Sequence, residues 1–133
     1  MKRFFSFIAI FFIIASCNSA TEPQPEQVAQ KFLTAFFNVD YDQILSMCLP
    51  GSQLKSDIER NAETIGGVSQ AAQELYRSDL SSYHFTIDSV NLNSRKDSAV
   101  VFYTIIFPDI VTQKPGNLTM VKENQEWKIA KLL

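Results

Sequence analysis

The sequence predicts an α+β fold in which N-terminal helices pack on a curved four-stranded antiparallel sheet. Between Pro25 and Tyr76, apolar residues recur every three or four positions, which is typical of amphipathic helices. From Ser82 onward the apolar period falls to two, as expected of half-buried strands. Helices therefore come first and strands last, and this segregated order favours α+β over an alternating α/β arrangement.

The first helix is predicted to begin at Pro25, because proline is favoured at the first helical position, and to end near Asn38. Glu26 lies where a negative charge stabilises the helix dipole. Two adjoining apolar rows should face the sheet. They are Val28, Phe32 and Phe36, and Ala29, Leu33 and Phe37.

Three further helical stretches follow, of which the first is short. Asp40 or Asp42 can cap a second helix, which Pro50 and Gly51 should end. Gly66 and Gly67 favour two further helices over a single kinked one. The apolar face of the third is predicted to carry Leu54, Ile58, Ala62 and Ile65, and that of the fourth Val68, Ala71, Ala72, Leu75 and Tyr76.

Four strands complete the predicted domain. In the first, Tyr83, Phe85 and Ile87 should face the helices, which turns His84, Thr86 and Asp88 outward. Residues 98–107 are rich in branched and aromatic residues and are interpreted as a strand buried on both faces. Residues 108–116 are predicted to form a loop. The last two strands should begin at Leu118 and Trp127, separated by a tight polar turn.

The N-terminus has the pattern of an export signal. Lys2 and Arg3 precede residues 4–14, in which Ser6 is the only polar residue, and small residues then lead to Cys17. An apolar run of about 11 residues makes a helix of roughly 16 Å, whereas the hydrocarbon core of a bilayer is about 30 Å thick. The segment can therefore engage an export channel but is too short to span the membrane.

The end of this signal resembles the lipobox of bacterial lipoproteins, with Ile14, Ala15 and Ser16 directly before Cys17. The commonest form has leucine at the position of Ile14 and glycine or alanine at that of Ser16. The resemblance implies cleavage before Cys17 and attachment of a diacylglycerol to its sulfur, usually with a third acyl chain on its amino group. The alternatives are an ordinary secretory signal, with Cys17 incidental, and a membrane span.

These features divide the chain into a signal peptide (1–16), a lipidated cysteine with a mobile tether (17–24) and one domain (25–133). Asn18 follows Cys17 where lipoproteins of enteric bacteria retained at the inner membrane carry aspartate. We therefore expect an anchored protein of the cell envelope, at the outer membrane, facing either the periplasm or the outside.

Charge and cysteine content exclude several partners. The full chain has 12 basic and 14 acidic residues. Removal of the predicted signal peptide takes away Lys2 and Arg3, which leaves 10 basic and 14 acidic residues and a net charge near −4 on the mature chain. No basic cluster is present, so we expect no nucleic-acid partner and anchoring by the lipid alone. Two cysteines and one histidine exclude a zinc site of familiar spacing, and no cofactor or metal is predicted. Cys48 is interpreted as a buried inert thiol, a reactive or bridging thiol being the alternative.

Two segments of the domain carry a family resemblance, namely 25–33 with its continuation through Asn38, Asp42 and Ile44, and the terminal 126–132 around Trp127. Through them the domain resembles the nuclear transport factor 2-like (cystatin-like) superfamily, within which it is similar to short bacterial lipoproteins of unknown function. The resemblance implies a cone-shaped sheet with a pocket between its concave face and the helices. Enzymes of the superfamily, such as ketosteroid isomerase, place an aspartate base and a tyrosine donor there.

The remaining candidates for such a site are Tyr41, Asp42, Tyr76, Tyr103 and Trp127. They are interpreted either as core aromatics with a polar edge or as the lining of a small apolar pocket for a hydrophobic molecule or peptide. No catalytic residue is predicted. The leading hypothesis is a non-enzymatic binding or accessory module, with an envelope protein as a further partner class. A small enzyme acting on a hydrophobic substrate and a structural module that dimerises through the exposed sheet face are the alternatives.

Overall fold

The computed structural model describes residues 22–133 and confirms the α+β class, with four helices on one side of a four-stranded antiparallel sheet. The helices are α1 (Pro25–Phe37), α2 (Tyr41–Met47), α3 (Gln53–Gly66) and α4 (Gln70–Ser81). The strands are β1 (His84–Leu92), β2 (Ser98–Ile106), β3 (Gln113–Glu123) and β4 (Glu126–Leu132), paired in chain order.

Helix α1 begins at Pro25 and is capped at its C-terminus by Asn38, as predicted. After the cap, Val39 takes a left-handed conformation with φ 56°, which is unusual for a β-branched residue. Its N–H donates to the Phe36 carbonyl and that of Asp40 donates to the Ala35 carbonyl, which is the Schellman arrangement that usually requires glycine. Burial of the Val39 side chain offsets that backbone strain.

Helix α2 is capped by Asp40, whose carboxylate accepts from the Gln43 N–H at 3.2 Å. The helix ends at Met47, and the following segment turns along the outer edge of β4. There the Leu49 N–H donates to the Ile129 carbonyl at 2.7 Å. The second half of this edge strand is therefore covered by the chain itself.

Gly66 and Gly67 separate α3 from α4, as predicted, but the two helices pack unequally. In α3, Ile58 is buried and the other members of the predicted face are half-buried. In α4 no residue is fully buried. The predicted apolar face of α4 is wrong in four of its five residues, because Val68, Ala71, Ala72 and Leu75 are exposed. Tyr76 is half-buried as predicted, and Gln73 and Leu80 are half-buried beside it.

The sheet is bent by two irregularities in its pairing. Between β1 and β2 the register shifts at Asp88, whose carboxylate accepts from the hydroxyls of Thr86 and Thr104 at 3.1 and 2.7 Å. A second shift occurs between β3 and β4, beyond Ile129. Bulges of this kind increase the local twist, and they curve the sheet around α1.

Two strand predictions are wrong. The predicted loop 108–116 is too long, because β3 already begins at Gln113 and pairs Pro115 with Thr104 and Gly116 with Tyr103. Proline is tolerated there because the pairing with β4 and the following Leu133 ends at Asn117, which leaves that part of β3 with one neighbour. Strand β2 is not buried on both faces. No described helix covers the outer face, and Phe102 on that face is 38% exposed.

The predicted signal peptide and lipidated Cys17 lie outside the described residues, as does the first part of the predicted tether. None of the described helices is long and apolar enough to cross a membrane.

Candidate functional site

The space between the helices and the concave sheet face is filled by side chains. Phe32 and Leu33 of α1 meet Val101, Leu118, Met120 and Ile129 of the sheet, and each of these is at most 1% exposed. Tyr83, Phe85 and Ile87 point towards this core, whereas His84, Thr86 and Asp88 face outward, as predicted. The only histidine of the chain is therefore remote from the concave face.

Tyr41 and Tyr76 come together in a small recess between α2, α3 and α4. Its volume is only about 20 Å³, enough for about one water molecule. Burial raises the pKa of Tyr41, and the neighbouring Tyr76 raises it further. Asp42 and Arg77 lie next to this pair in a separate, open polar depression.

Tyr103 lies elsewhere, at the far end of the sheet. Its hydroxyl donates to the Leu133 carbonyl at 3.4 Å, and burial raises its pKa. The ring rests directly over Gly116, where any Cβ would collide with it and with the Leu133 carbonyl oxygen. Tyr103 is therefore a packed core residue with a hydrogen-bonded hydroxyl.

Cys48 is buried at the end of α2, 2% exposed, against Ile129 of β4. Burial raises the pKa of its thiol from 9.0 to about 11, an effect that the Lys55 ammonium only partly opposes. At neutral pH the thiol is protonated and shielded, which agrees with the inert interpretation.

Trp127 borders a surface groove of about 450 Å³ between α1, α2 and the start of β4, which we call the Trp127 groove. Its apolar lining consists of Pro23, Val28, Met47 and Trp127. The volume lies in the range of roughly 300–1,000 Å³ that is usual for ligand sites. Of the four predicted pocket residues, Trp127 lines this groove, and Tyr41 lines the open polar depression beside Asp42 and Arg77, whose volume is about 470 Å³. Tyr76 borders only the water-sized recess, and Tyr103 lies in neither opening.

Two lysines lie at the Trp127 groove. Lys128 is held in place, because its ammonium contacts the Glu126 carboxylate at 3.0 Å and donates to the Ser46 carbonyl at 3.1 Å. Lys31 is exposed and forms no ion pair with any residue from 22 to 133. The groove thus combines an apolar floor with one uncompensated cation.

The chain enters the domain beside this groove. The Glu22 carboxylate pairs with the Lys122 ammonium at 3.3 Å, and the same ammonium lies 5.3 Å from the centroid of the Trp127 ring. Gln24 and Gln27 close a reciprocal capping box at the start of α1. The last residues of the predicted tether are thereby fixed against the β3–β4 hairpin.

The sequence indicates Trp127 as a candidate but not the groove around it. The other walls come from Val28, Lys31 and Met47, which lie far from Trp127 in sequence and which helical periodicity assigns only to faces. Their meeting depends on how α2 crosses β4, and no local pattern encodes that crossing. Among residues 22–133, no group of His, Cys, Asp or Glu side chains could hold a metal ion.

Comparison with known proteins yields no family. No family model matches the chain, and no curated protein matches it. Among solved structures, a SEC-C motif containing protein from Rhodopseudomonas palustris is 12% identical, with 82% of this chain and 77% of that chain covered and a TM-score of 0.49. A protein of unknown function with a cystatin-like fold from Methylobium petroleophilum is 13% identical, with coverage of 80% and 71% and a TM-score of 0.49.

A third solved structure, a protein from Xanthomonas campestris pv. campestris provisionally named a polyketide cyclase, is 13% identical. The matched region covers 80% of this chain and 85% of that chain, and the TM-score is 0.40. The second of these neighbours has the cystatin-like fold that the sequence resembles. At TM-scores below 0.5 the three neighbours carry no argument about activity, and the fold class rests on the helices and sheet themselves.

Proposed function

We propose that the protein is a lipid-anchored module of the bacterial cell envelope that binds a partner at the Trp127 groove rather than inside the cone. The observation that carries the binding role is the contrast between the filled interior and this open, partly apolar groove. The anchoring role rests on the lipobox resemblance at Cys17, and Asn18 favours the outer membrane.

The position of the groove supports the combination of the two roles. Pro23 lines the groove and lies six residues after Cys17. At about 3.3–3.6 Å per extended residue, this separation is at most roughly 20 Å. A groove that close to the anchor would operate near the membrane surface, where an envelope partner or an amphiphilic molecule is encountered.

Replacement of Cys17 by alanine tests the anchor. The full chain should label with a radioactive fatty acid, partition with membranes and accumulate as a precursor when globomycin is added. Cys17→Ala should lose the label and leave the membrane fraction, whereas the matched Cys48→Ala variant should behave as the unaltered chain does. Retention of Cys17→Ala in the membrane fraction would refute the lipoprotein. Sucrose-gradient separation of the two membranes then tests the outer-membrane location.

The enzymatic alternative has no support from the cone. The recess at Tyr41 and Tyr76 is too small for a hydrophobic substrate, and Tyr103 is engaged with Leu133. Dimerisation remains a second candidate, because no element within residues 22–133 covers the outer face of the sheet, and Phe102 projects from it. Light scattering after size exclusion should then give a dimer that Phe102→Asp converts to a monomer. A monomer at high concentration would exclude it.

A further inference from the structure

We infer that the Trp127 groove takes an extended acidic peptide segment, which adds as a short strand to the free first half of β4. This inference deepens the proposed binding role and does not depend on the lipid anchor. It rests on three features of the groove, namely the direction of the β4 backbone, the apolar floor and the charge of Lys31.

The direction of the β4 backbone follows from its pairing. Glu123 and Glu126 close the two-residue turn formed by Asn124 and Gln125, both of which have positive φ. The register then runs without interruption through Trp127 and Lys128 to Ile129. Within an antiparallel strand, the N–H and C=O of one residue point to the same side, and that side alternates from residue to residue.

The contact at Ile129 fixes which residues face outward. Its carbonyl accepts from the Leu49 N–H, on the side away from β3. Trp127 lies two positions earlier, so its N–H and C=O also point to the outer edge, whereas those of Lys128 point to β3. Among residues 22–133, no hydrogen bond from a turn, loop or side chain reaches the Trp127 backbone at that edge.

The free edge of Trp127 therefore continues the line along which the chain already pairs with itself at Leu49. An extended segment in the groove would donate to and accept from Trp127 as Leu49 donates to Ile129. Strand addition of this kind supplies affinity through the backbone, while pockets for alternate side chains supply selectivity.

The walls of the groove indicate which side chains that segment would carry. One row of its side chains would rest on Val28, Met47 and Pro23, which favours small or branched apolar residues. Lys31 lies without an ionic partner among residues 22–133, whereas the ammonium of Lys128 is neutralised by Glu126. A carboxylate in the segment would complement Lys31, and a lysine would be repelled by it.

Trp127 reports binding directly, because it is the only tryptophan of the chain. The full chain is inserted into the outer leaflet of phosphatidylcholine vesicles and titrated with an acetylated heptapeptide of alternating valine and glutamate. If the chain fails to enter vesicles, the anchor proposal fails, and the same titration proceeds in solution. We expect a saturable shift of the Trp127 emission, and at least a tenfold weaker response to a valine–lysine heptapeptide.

Two variants and two modified peptides sharpen the test. Lys31→Glu should reverse the preference between the acidic and basic peptides, and Lys114→Glu, at the opposite end of β3, should leave it unchanged. Methylation of one alternate set of peptide amides should abolish binding, while methylation of the other set should be tolerated, because only one edge of an added strand meets β4.

Equal binding of both methylated peptides would overturn strand addition. Equal binding of the acidic and basic peptides would overturn the role of Lys31. Saturation by dodecanoate with no response to any peptide would identify an amphiphile site instead, and would contradict this inference while leaving a binding module in place. No response to dodecanoate or to either peptide would contradict both the inference and the binding role.

Discussion

Helices α1 and α4 are alike in length and in apolar periodicity, yet they contribute very differently to the fold. Helix α1 buries six residues between the sheet and the other helices, including Phe32 and Leu33. Helix α4 buries none, and its Leu75 is 73% exposed. A helical period therefore predicts that a helix forms, but not that its apolar face finds a surface to cover.

The difference arises from side-chain size and position in the chain. The apolar rows of α1 carry four phenylalanine and leucine side chains, which fill a curved sheet. The predicted face of α4 carries two alanines, which bury little area. Helix α4 also follows two glycines and meets the rest of the domain chiefly through Tyr76 and Leu80, near Tyr41. We expect α1 to belong to the cooperative core and α4 to open locally.

The largest expected effect is a truncation in α1. Phe32→Ala should lower the free energy of unfolding by about 3–5 kcal/mol, because it leaves a cavity at the centre of the core. Leu75→Ala, the matched change in α4, should cost less than about 0.5 kcal/mol. Urea unfolding measures both. Similar losses in the free energy of unfolding for the two variants would contradict the difference between α1 and α4.

Thiol reactivity should give the next largest effect, because it distinguishes the buried end of α2 from the exposed face of α4. With a pKa of about 11 instead of 9.0, the Cys48 thiol has about 100-fold less thiolate at pH 8. Native protein should therefore react slowly with Ellman's reagent, while Leu75→Cys in a Cys48→Ala background should react like a free thiol. Fast reaction of native Cys48 would show that the end of α2 is as open as α4.

The raised pKa of Cys48 also fixes the sign of a pH effect. The stability due to the protonated buried thiol is complete below pH 9, the pKa when unfolded, and is lost as the pH rises towards 11. Cys48→Ala should flatten the fall in stability over that interval. An unchanged pH profile would contradict the assigned burial.

Two glycine substitutions should give the smallest effects, and they again contrast a packed position with an open one. Gly116→Ala should destabilise by about 1–3 kcal/mol, because the added methyl meets the Tyr103 ring and the Leu133 carbonyl. Gly66→Ala, at the end of α3, meets open space and should be neutral or stabilise by up to about 1 kcal/mol. Thermal unfolding compares the two. A neutral Gly116→Ala would mean that the sheet end is loosely packed.

Much of the fold could be predicted from the sequence, because local chemistry determines it. Pro25, Asn38, the capping aspartate and the paired glycines mark helix ends, and the alternation at Tyr83, Phe85 and Ile87 sets the inner face of β1. The failures concern tertiary context. Pro115 and Gly116 have the composition of a loop, but the missing β4 neighbour and the ring of Tyr103 place them in β3.

The candidate site was less predictable for the same reason. The four aromatics Tyr41, Tyr76, Tyr103 and Trp127 share a chemistry but not a location. Aromatic content alone could not distinguish a water-sized recess, a packed ring and an open groove. The free edge of Trp127 follows only from the crossing of the α2–α3 connection over Ile129, which depends on contacts distant in sequence.

Amide hydrogen exchange of the full chain tests the central claim, that Trp127 presents a free backbone edge in a rigid part of the domain. The Trp127 N–H should exchange on the order of 100-fold or more faster than that of adjacent Lys128, which pairs with Val121. The N–H groups in the middle of α1 should exchange only through global unfolding, whereas those of α4 should exchange faster, through local opening. Equal protection of Trp127 and Lys128 would show that the edge is already occupied and would contradict the account.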